Sequence, residues 1–168
     1  LLGTWLGAPH VREWWNHDPS LDAIERDFGG TIDGAEPGED WIAELDGRPI
    51  GLLQYSRFCD YPDYTDEMAP VYPVDDVMAS IDYLVGDSDM VGRGLGSAMI
   101  SAFVACVWHH DPTTTSLVVP VNSANTRSWR ALMRAGFRLV ARGELEPDNP
   151  IHDRLHEVLR IDRPTGGS

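Results

Sequence analysis

Residues 79–108 carry the pattern richest in chemistry: a strand candidate at Ala79–Val85, a turn at Gly86-Asp87, then Gly92-Arg93-Gly94-Leu95-Gly96 running straight into a helix. The first amides of a helix have no partner within it and stand at the positive end of its dipole. Glycines that bring that backbone close therefore make the turn a seat for phosphate oxygens. It is not the seat of a nucleoside triphosphatase, because no lysine follows Gly96, nor is it the G-x-G-x-x-G of a dinucleotide site. Two tryptophans, Trp14 and Trp15, suit an aromatic wall, and Asp60, Asp63, Asp66, Glu67 and Asp148 suit an acidic pocket for ammonium groups; the tryptophans equally read as core, and any single acid reads better as a solvated loop residue.

The charge balance bears on the partner. Twenty-seven acidic residues against 13 basic ones leave a formal net charge of -14. Binding a phosphate backbone needs the opposite balance, so nucleic acid is excluded as a partner, while a cationic small molecule would be drawn in. The same acidity also serves solubility. Cys59 and Cys106 lie far apart in no ligand spacing, which argues against a disulfide framework or structural zinc, and Cys106 reads as a small buried hydrophobe. The histidines at 10, 17, 109, 110, 152 and 156 form no H-E-x-x-H pair, and His152 and His156 fall in an apparent strand, so no metal is expected. No apolar stretch reaches a membrane span and no signal peptide opens the chain, which points to the cytoplasm and to no membrane partner.

The elements that must position these residues follow from periodicity. The 168 residues suit one domain, placed at 1–163, with a tail at 164–168. Two short helical pieces are expected before Trp15, and a helix from Pro19 to Phe28, capped at Asp18 and stopped by Gly29-Gly30. Trp41–Leu45 and Ile50–Phe58 read as strands joined at Asp46-Gly47, and Cys59–Pro73 as an irregular exposed segment. After Gly96, residues Met99, Ile100, Phe103, Val104 and Val107 recur at helical spacing. A strand at Ser116–Val121, a helix at Ala124–Ala135, and strands at Phe137–Arg142 and about Arg154–Ile161 complete a mixed α+β domain.

V-G-R-G-L-G at 91–96 resembles the acetyl-CoA diphosphate loop of the GNAT superfamily, with Val91 at its Q/R position. Asn122-Ser123-Ala124-Asn125, the helix after it, and Arg134-Ala135-Gly136-Phe137 are similar to that family's second signature. Within it, His10-Val11-Arg12-Glu13-Trp14-Trp15, Gly47-Arg48-Pro49-Ile50-Gly51 and Ile81-Asp82 resemble the aminoglycoside 6'-N-acetyltransferases. The resemblance implies a mixed, mostly antiparallel, splayed sheet flanked by helices. In it the strand from Phe137 diverges from Ala79–Val85 to open the cofactor slot, and a further strand precedes Leu1. It implies acetyl-CoA as cosubstrate without a metal, a cationic amine such as an aminoglycoside as acceptor, and a monomer or homodimer.

The same resemblance implies site residues. Cofactor contacts would come from Tyr83, Leu84 and Val85, from Val91, Gly92, Arg93, Gly94, Leu95, Gly96 and Ser97, and from Asn125 and Ser128; substrate contacts would come from Trp14, Trp15, Asp60, Asp82 and Asp148. A protonated amine is no nucleophile, and Asp82 is the candidate base that deprotonates it. The amide of Leu84 or Val85 would steady the thioester oxygen. Leu132 stands where many of these enzymes have a tyrosine acid, and Pro120 where the aminoglycoside enzymes often have an aspartate. Two other functions are open at this point: acylation of lysine or hydroxylysine chains of siderophores, and acyl-CoA binding without catalysis.

Overall fold

The computed structural model describes residues 1–165, so the last three positions of the expected tail lie outside the described residues. Three helices come first: α1 (Leu2–Leu6), α2 (Pro9–Trp15) and α3 (Leu21–Ile32). Then follow β1 (Glu39–Leu45), β2 (Arg48–Arg57), α4 (Pro62–Met68), β3 (Met78–Val85), α5 (Leu95–His110), β4 (Ser116–Asn122), α6 (Thr126–Arg134), β5 (Arg138–Glu144) and β6 (Leu155–Asp162). The strands form one six-stranded sheet in the order β1-β2-β3-β4-β6-β5. Every neighbouring pair is antiparallel except β3 and β4, which run parallel. No helix among the described residues is long and apolar enough to cross a membrane.

Strand alternation divides the core between two faces. On one face α5 and α6 cover Leu53, Ile81, Leu117, Val119 and Leu159, with Ile100, Phe103, Val104 and Leu132 supplied by the helices. On the other, α1–α3 cover Leu52 and Leu84 with Trp5, Leu6, Val11 and Phe28. Beside them Phe58, Met68, Val118, Leu145 and Val158 form a third cluster. Trp5 fixes the helices on the end of β3 by lying against Gly86, where any side chain would overlap the indole at 2.1 Å.

The β3–β4 contact decides the architecture. Only Met78↔Ser116 and Ala79↔Leu117 pair, and beyond them the strands separate. The slot therefore opens between β3 and β4, not between β3 and the strand after Phe137 as the resemblance implied; β5 pairs with β6 at the sheet's far edge. Register gives a physical reason. Ser123 N–H donates to Leu155 O at 2.8 Å, and with Val121 opposite Glu157 and Pro120 opposite Val158, alternation directs the backbone groups of Val118, Pro120 and Asn122 away from β6 and toward β3. Proline has no N–H to offer a neighbouring strand, so β4 cannot continue the ladder at Pro120.

Other expectations also change. Helix α3 starts at Leu21 with Ser20 as its cap, whose Oγ accepts from Ala23 N–H; Asp18 instead accepts from Ser20 N–H at 2.9 Å. The glycine pair sits inside that helix, which ends at Asp33. The segment after Cys59 is not irregular: Pro62 starts α4, Met68 is wholly buried, and Tyr64 stacks on Phe58 at 5.2 Å. Cys106 is exposed, on the side of α5 opposite its buried face. His152 lies in the turn before β6, not in a strand.

Arg163 closes the C-terminal end of α5. Its guanidinium donates to the carbonyls of Trp108, Asp111 and Thr114 at 2.5, 2.5 and 2.8 Å and lies 4.8 Å from the centre of the Trp108 ring. These carbonyls are left over where the helix ends, and a cation is the strongest donor for them. Arg163→Ala should lower unfolding stability by about 2 kcal/mol, read as a shift in denaturant midpoint at constant slope.

Candidate active site

The slot widens into a cleft built from both signature segments. The β3 strand forms one wall with Asp82, Tyr83, Leu84 and Val85, and β4 the other with Pro120 and Asn122. The loop from Met90 to Ser97 closes one end. Residues of α2 and of the β5–β6 loop, Trp14, Trp15, Asp148, Asn149 and His152, close the other.

At the loop end Gly92 and Gly94 have φ of 83° and 80° with open space around both, so the requirement for glycine is conformational. Gly94 is the N-cap of α5 and supplies no side chain to its amides; the first intrahelical bond is Ala98 N–H to Gly94 O at 3.2 Å. The amides of Leu95, Gly96 and Ser97 are thus left for an anion. Two arginines join them. Arg127 and Arg134 line the cleft from α6 with Ala131 between them, at spacings of four and three residues that put all three on one helix face. The reading of the sequence passed over both, although on a chain this acidic a helix face with two arginines was a visible signal. Arg93 and Leu95, expected as cofactor contacts, do not line the cleft with their side chains; Val91 does.

Along β3 the backbone sorts the candidates. Gly86 N–H donates to Ile50 O at 2.9 Å, and with Leu84 opposite Leu52 in the same antiparallel register, alternation directs the amide of Leu84 into the β2 ladder. Its side chain is buried under α1–α3. This corrects the expectation that Leu84 could offer a free amide: Tyr83 and Val85 are the residues whose backbone faces the slot. His10 Nε2 lies 2.8 Å from Val85 O, so α2 reaches over and engages that carbonyl. His10 was missed as a site residue even though it opens the motif that includes Trp14 and Trp15.

Asp82 and Tyr83 point to opposite faces. Tyr83 extends toward α6, where its hydroxyl meets Ser128 Oγ at 2.7 Å, and burial raises its phenol's pKa. Asn125 caps α6 by accepting from Ser128 N–H at 3.1 Å. Asp82 faces the α2 side, exposed within the cleft whose walls flank it. That enclosure deprives the carboxylate of bulk hydration and, with Asp148 adding a like charge, pushes its pKa up to about 7. The carboxyl of Asp148 is also raised, chiefly by burial, although His156 and His17 work against the shift.

The amine end is firmly tied. Asn149 Nδ2 donates to the carbonyls of Arg12 and Glu13 at 3.2 and 2.9 Å, and His152 Nε2 lies 2.9 Å from Glu13 O. The His152 imidazole stacks on Trp14 with ring centres 4.3 Å apart and planes 11° from parallel. Both tryptophans line the cleft, as does Asp148. Asp60 does not: it is exposed at the end of a turn of 3-10 helix at 58–60, outside the cleft. Asp63 and Asp66 lie exposed on α4, and Glu67 instead accepts from Glu146 N–H.

Residues 1–145 match the acetyltransferase (GNAT) domain family. The chain is 28% identical to the aminoglycoside N(6')-acetyltransferase type 1 of Klebsiella pneumoniae over 141 residues, 82% of this chain and 67% of that protein. It is 22% identical to the lysine N-acyltransferase MbtK of Mycolicibacterium paratuberculosis over 165 residues, 98% of this chain and 69% of that one. Among solved structures, aminoglycoside acetyltransferase AAC(6')-Ib in complex with coenzyme A superposes with a TM-score of 0.81 at 25% identity, covering 96% of this chain and 87% of the other.

Proposed function

Given that the chain belongs to the GNAT acetyltransferase family, we propose that it transfers the acetyl group of acetyl-CoA directly to a primary amine of a polycationic small molecule, the 6'-amine of an aminoglycoside. The observation that carries this reading is one cleft with two opposed ends. Helix amides and the arginines of α6 suit the phosphates of the cosubstrate, and carboxylates beside indole rings suit the ammonium groups of the acceptor. A cytoplasmic setting and a role in antibiotic resistance belong to the same proposal.

The residues present fit coenzyme A. The amides at Leu95–Ser97, with Arg127 and Arg134 close by, would hold the diphosphate, and the slot between β3 and β4 beside Asn125 and Ser128 would take the pantetheine arm. The thioester supplies an activated acyl carbon and a leaving group whose acidity, like that of thiols generally, is near pKa ~8.5. Asp82 takes a proton from the acceptor's ammonium, directly or through water, so that nitrogen has a free pair. The slot-facing amide of Tyr83 or Val85 receives the negative charge that develops on the acyl oxygen, and His10 steadies the strand by bonding Val85 O. Asp148 pairs with a second ammonium of the acceptor.

The walls also discriminate among amines. Both arginines that line the cleft stand on α6, on the face of the sheet opposite Asp82, so an acceptor's carboxylate would meet two acids and no guanidinium. Free thiol should therefore appear when protein and acetyl-CoA meet kanamycin, and faster with cadaverine than with lysine, which differs from it by one carboxylate. A lysine rate matching cadaverine's, with kanamycin inert, would favour a lysine acylase; coenzyme A uptake with no thiol released from any amine would favour a binding module.

A further inference from the structure

The departing sulfur is the one reacting atom to which the mechanism above assigns no partner. Breaking the C–S bond leaves an electron pair on sulfur, and a nearby donor lowers the cost of that charge. Leu132 cannot serve, being apolar and wholly buried. Among the described residues the hydroxyls lining the cleft are those of Tyr83, Ser97 and Ser128. Ser97 sits at the phosphate end and turns its Oγ back to Gly94 O at 2.9 Å. Tyr83 and Ser128 form a pair, since the phenol reaches from β3 to α6 and contacts both the Oγ and the carbonyl of Ser128, at 2.7 and 3.2 Å. This places a hydroxyl pair beside the slot, one residue along the strand from Asp82 but on the opposite face of the sheet. The base and the donor therefore do not compete for one proton.

Resting on the acyl-transfer reading, we propose that the Tyr83 hydroxyl, positioned by Ser128, is the hydrogen-bond donor to the leaving sulfur of coenzyme A. As the C–S bond breaks its electron pair stays on sulfur, the phenol's hydrogen bond offsets that charge, and the thiolate takes its proton from cleft water. The balance is ammonium plus thioester giving amide, thiol and one proton released to solvent. Ser128 Oγ keeps the phenol aimed by donating to its oxygen, which leaves the phenolic proton for the sulfur.

The test compares Tyr83→Phe with the parent protein using two donors, acetyl-CoA and the acetyl ester of its seleno analogue, whose selenol is a far stronger acid and leaves without help. The expected result is a kcat lower by about 10- to 100-fold with the thioester, below the span typical of general acid catalysis because a thiolate is a tolerable leaving group that needs a hydrogen bond rather than a proton. With the selenoester the loss should be under about threefold. A second readout needs no turnover: absorbance titration of the thiol of bound coenzyme A should give a pKa about one unit higher in the variant, a tenfold loss of thiolate stabilisation. Equal slowing with both donors, or an unshifted thiol titration, overturns the assignment. Ser128→Ala, which removes the partner and keeps the phenol, should show the same pattern at smaller size if Tyr83→Phe fails to fold. A parent protein that releases no thiol with any amine would instead sink the proposed function, and this inference with it.

Discussion

Asp82→Asn should lower kcat by about 10²- to 10⁴-fold while leaving coenzyme A affinity within about twofold, because it removes the proton acceptor and touches nothing at the phosphate end. The reason is electrostatic. Asp82 is held near neutral pKa by its enclosure and by Asp148, so it is a much better base than an ordinary aspartate, and it is about half ionised at pH 7. The parent enzyme's kcat/KM should therefore rise as pH passes about 7, and the variant should lose that limb. Stability gives an independent check with the opposite sign. A carboxyl whose folded pKa lies above its unfolded value binds its proton more tightly in the folded state; that contribution is complete below the unfolded pKa near ~4 and is lost as pH rises through about 7. Above pH 7 the ionised Asp82 weakens the fold, so the asparagine variant should melt higher than the parent at pH 8, and the gap should shrink toward pH 4. Parent-like turnover in the variant would remove Asp82 as base, and a lower melting point at pH 8 would show that its carboxylate is stabilised by something other than the cleft described above.

Gly96→Asp should abolish tight coenzyme A binding with no loss of fold. A side chain at this position has room, since the first added carbon would stand 3.9 Å from Val85 and 4.0 Å from Ala131. An acid in the first turn of a helix is favourable to the helix itself. The same carboxylate would face the diphosphate and compete for Arg127 and Arg134, and repulsion between partly solvated charges at contact range is worth about 2–3 kcal/mol, or roughly 100-fold in affinity. Calorimetry with coenzyme A measures that loss, and a melting curve checks the fold. Gly96→Ala, which adds the carbon without the charge, should bind within about threefold of the parent. An aspartate variant that still binds like the parent would mean that the phosphates sit elsewhere.

The parts of this molecule that were readable from sequence are those dictated by local rules. Glycines before a buried-face helix marked the turn proposed as the phosphate seat, and a polar Asp82 in an apolar strand marked a side chain that had to emerge into a cleft. What was not readable depended on partners remote in sequence. Which strands diverge is decided by the register of β4 on β6 and by the missing N–H of Pro120, neither of which a strand's own pattern announces. Helix α4 was hidden because its two inward residues, Tyr64 and Met68, are embedded among aspartates and prolines that read as loop. Composition also misled: the acids near residue 60 suggested a pocket, but an acid contributes to a site only through its position, and of the residues named for that pocket Asp148 alone reaches the cleft. Arg127 and Arg134 show the converse, since attention to the overall negative charge obscured two local cations.

The two register pairs that join β3 to β4 leave the sheet as two three-stranded leaves sharing a short spine. Each leaf presents a row of unmatched backbone groups to the gap, and a ligand arm carrying amides of its own would be stitched to both. Occupancy then does for the molecule what a missing strand would do: it binds one leaf to the other and adds its binding free energy to the stability of the whole. A cosubstrate bound there would be a seam as well as a reactant, and without that seam the two leaves depend on the helices packed across them.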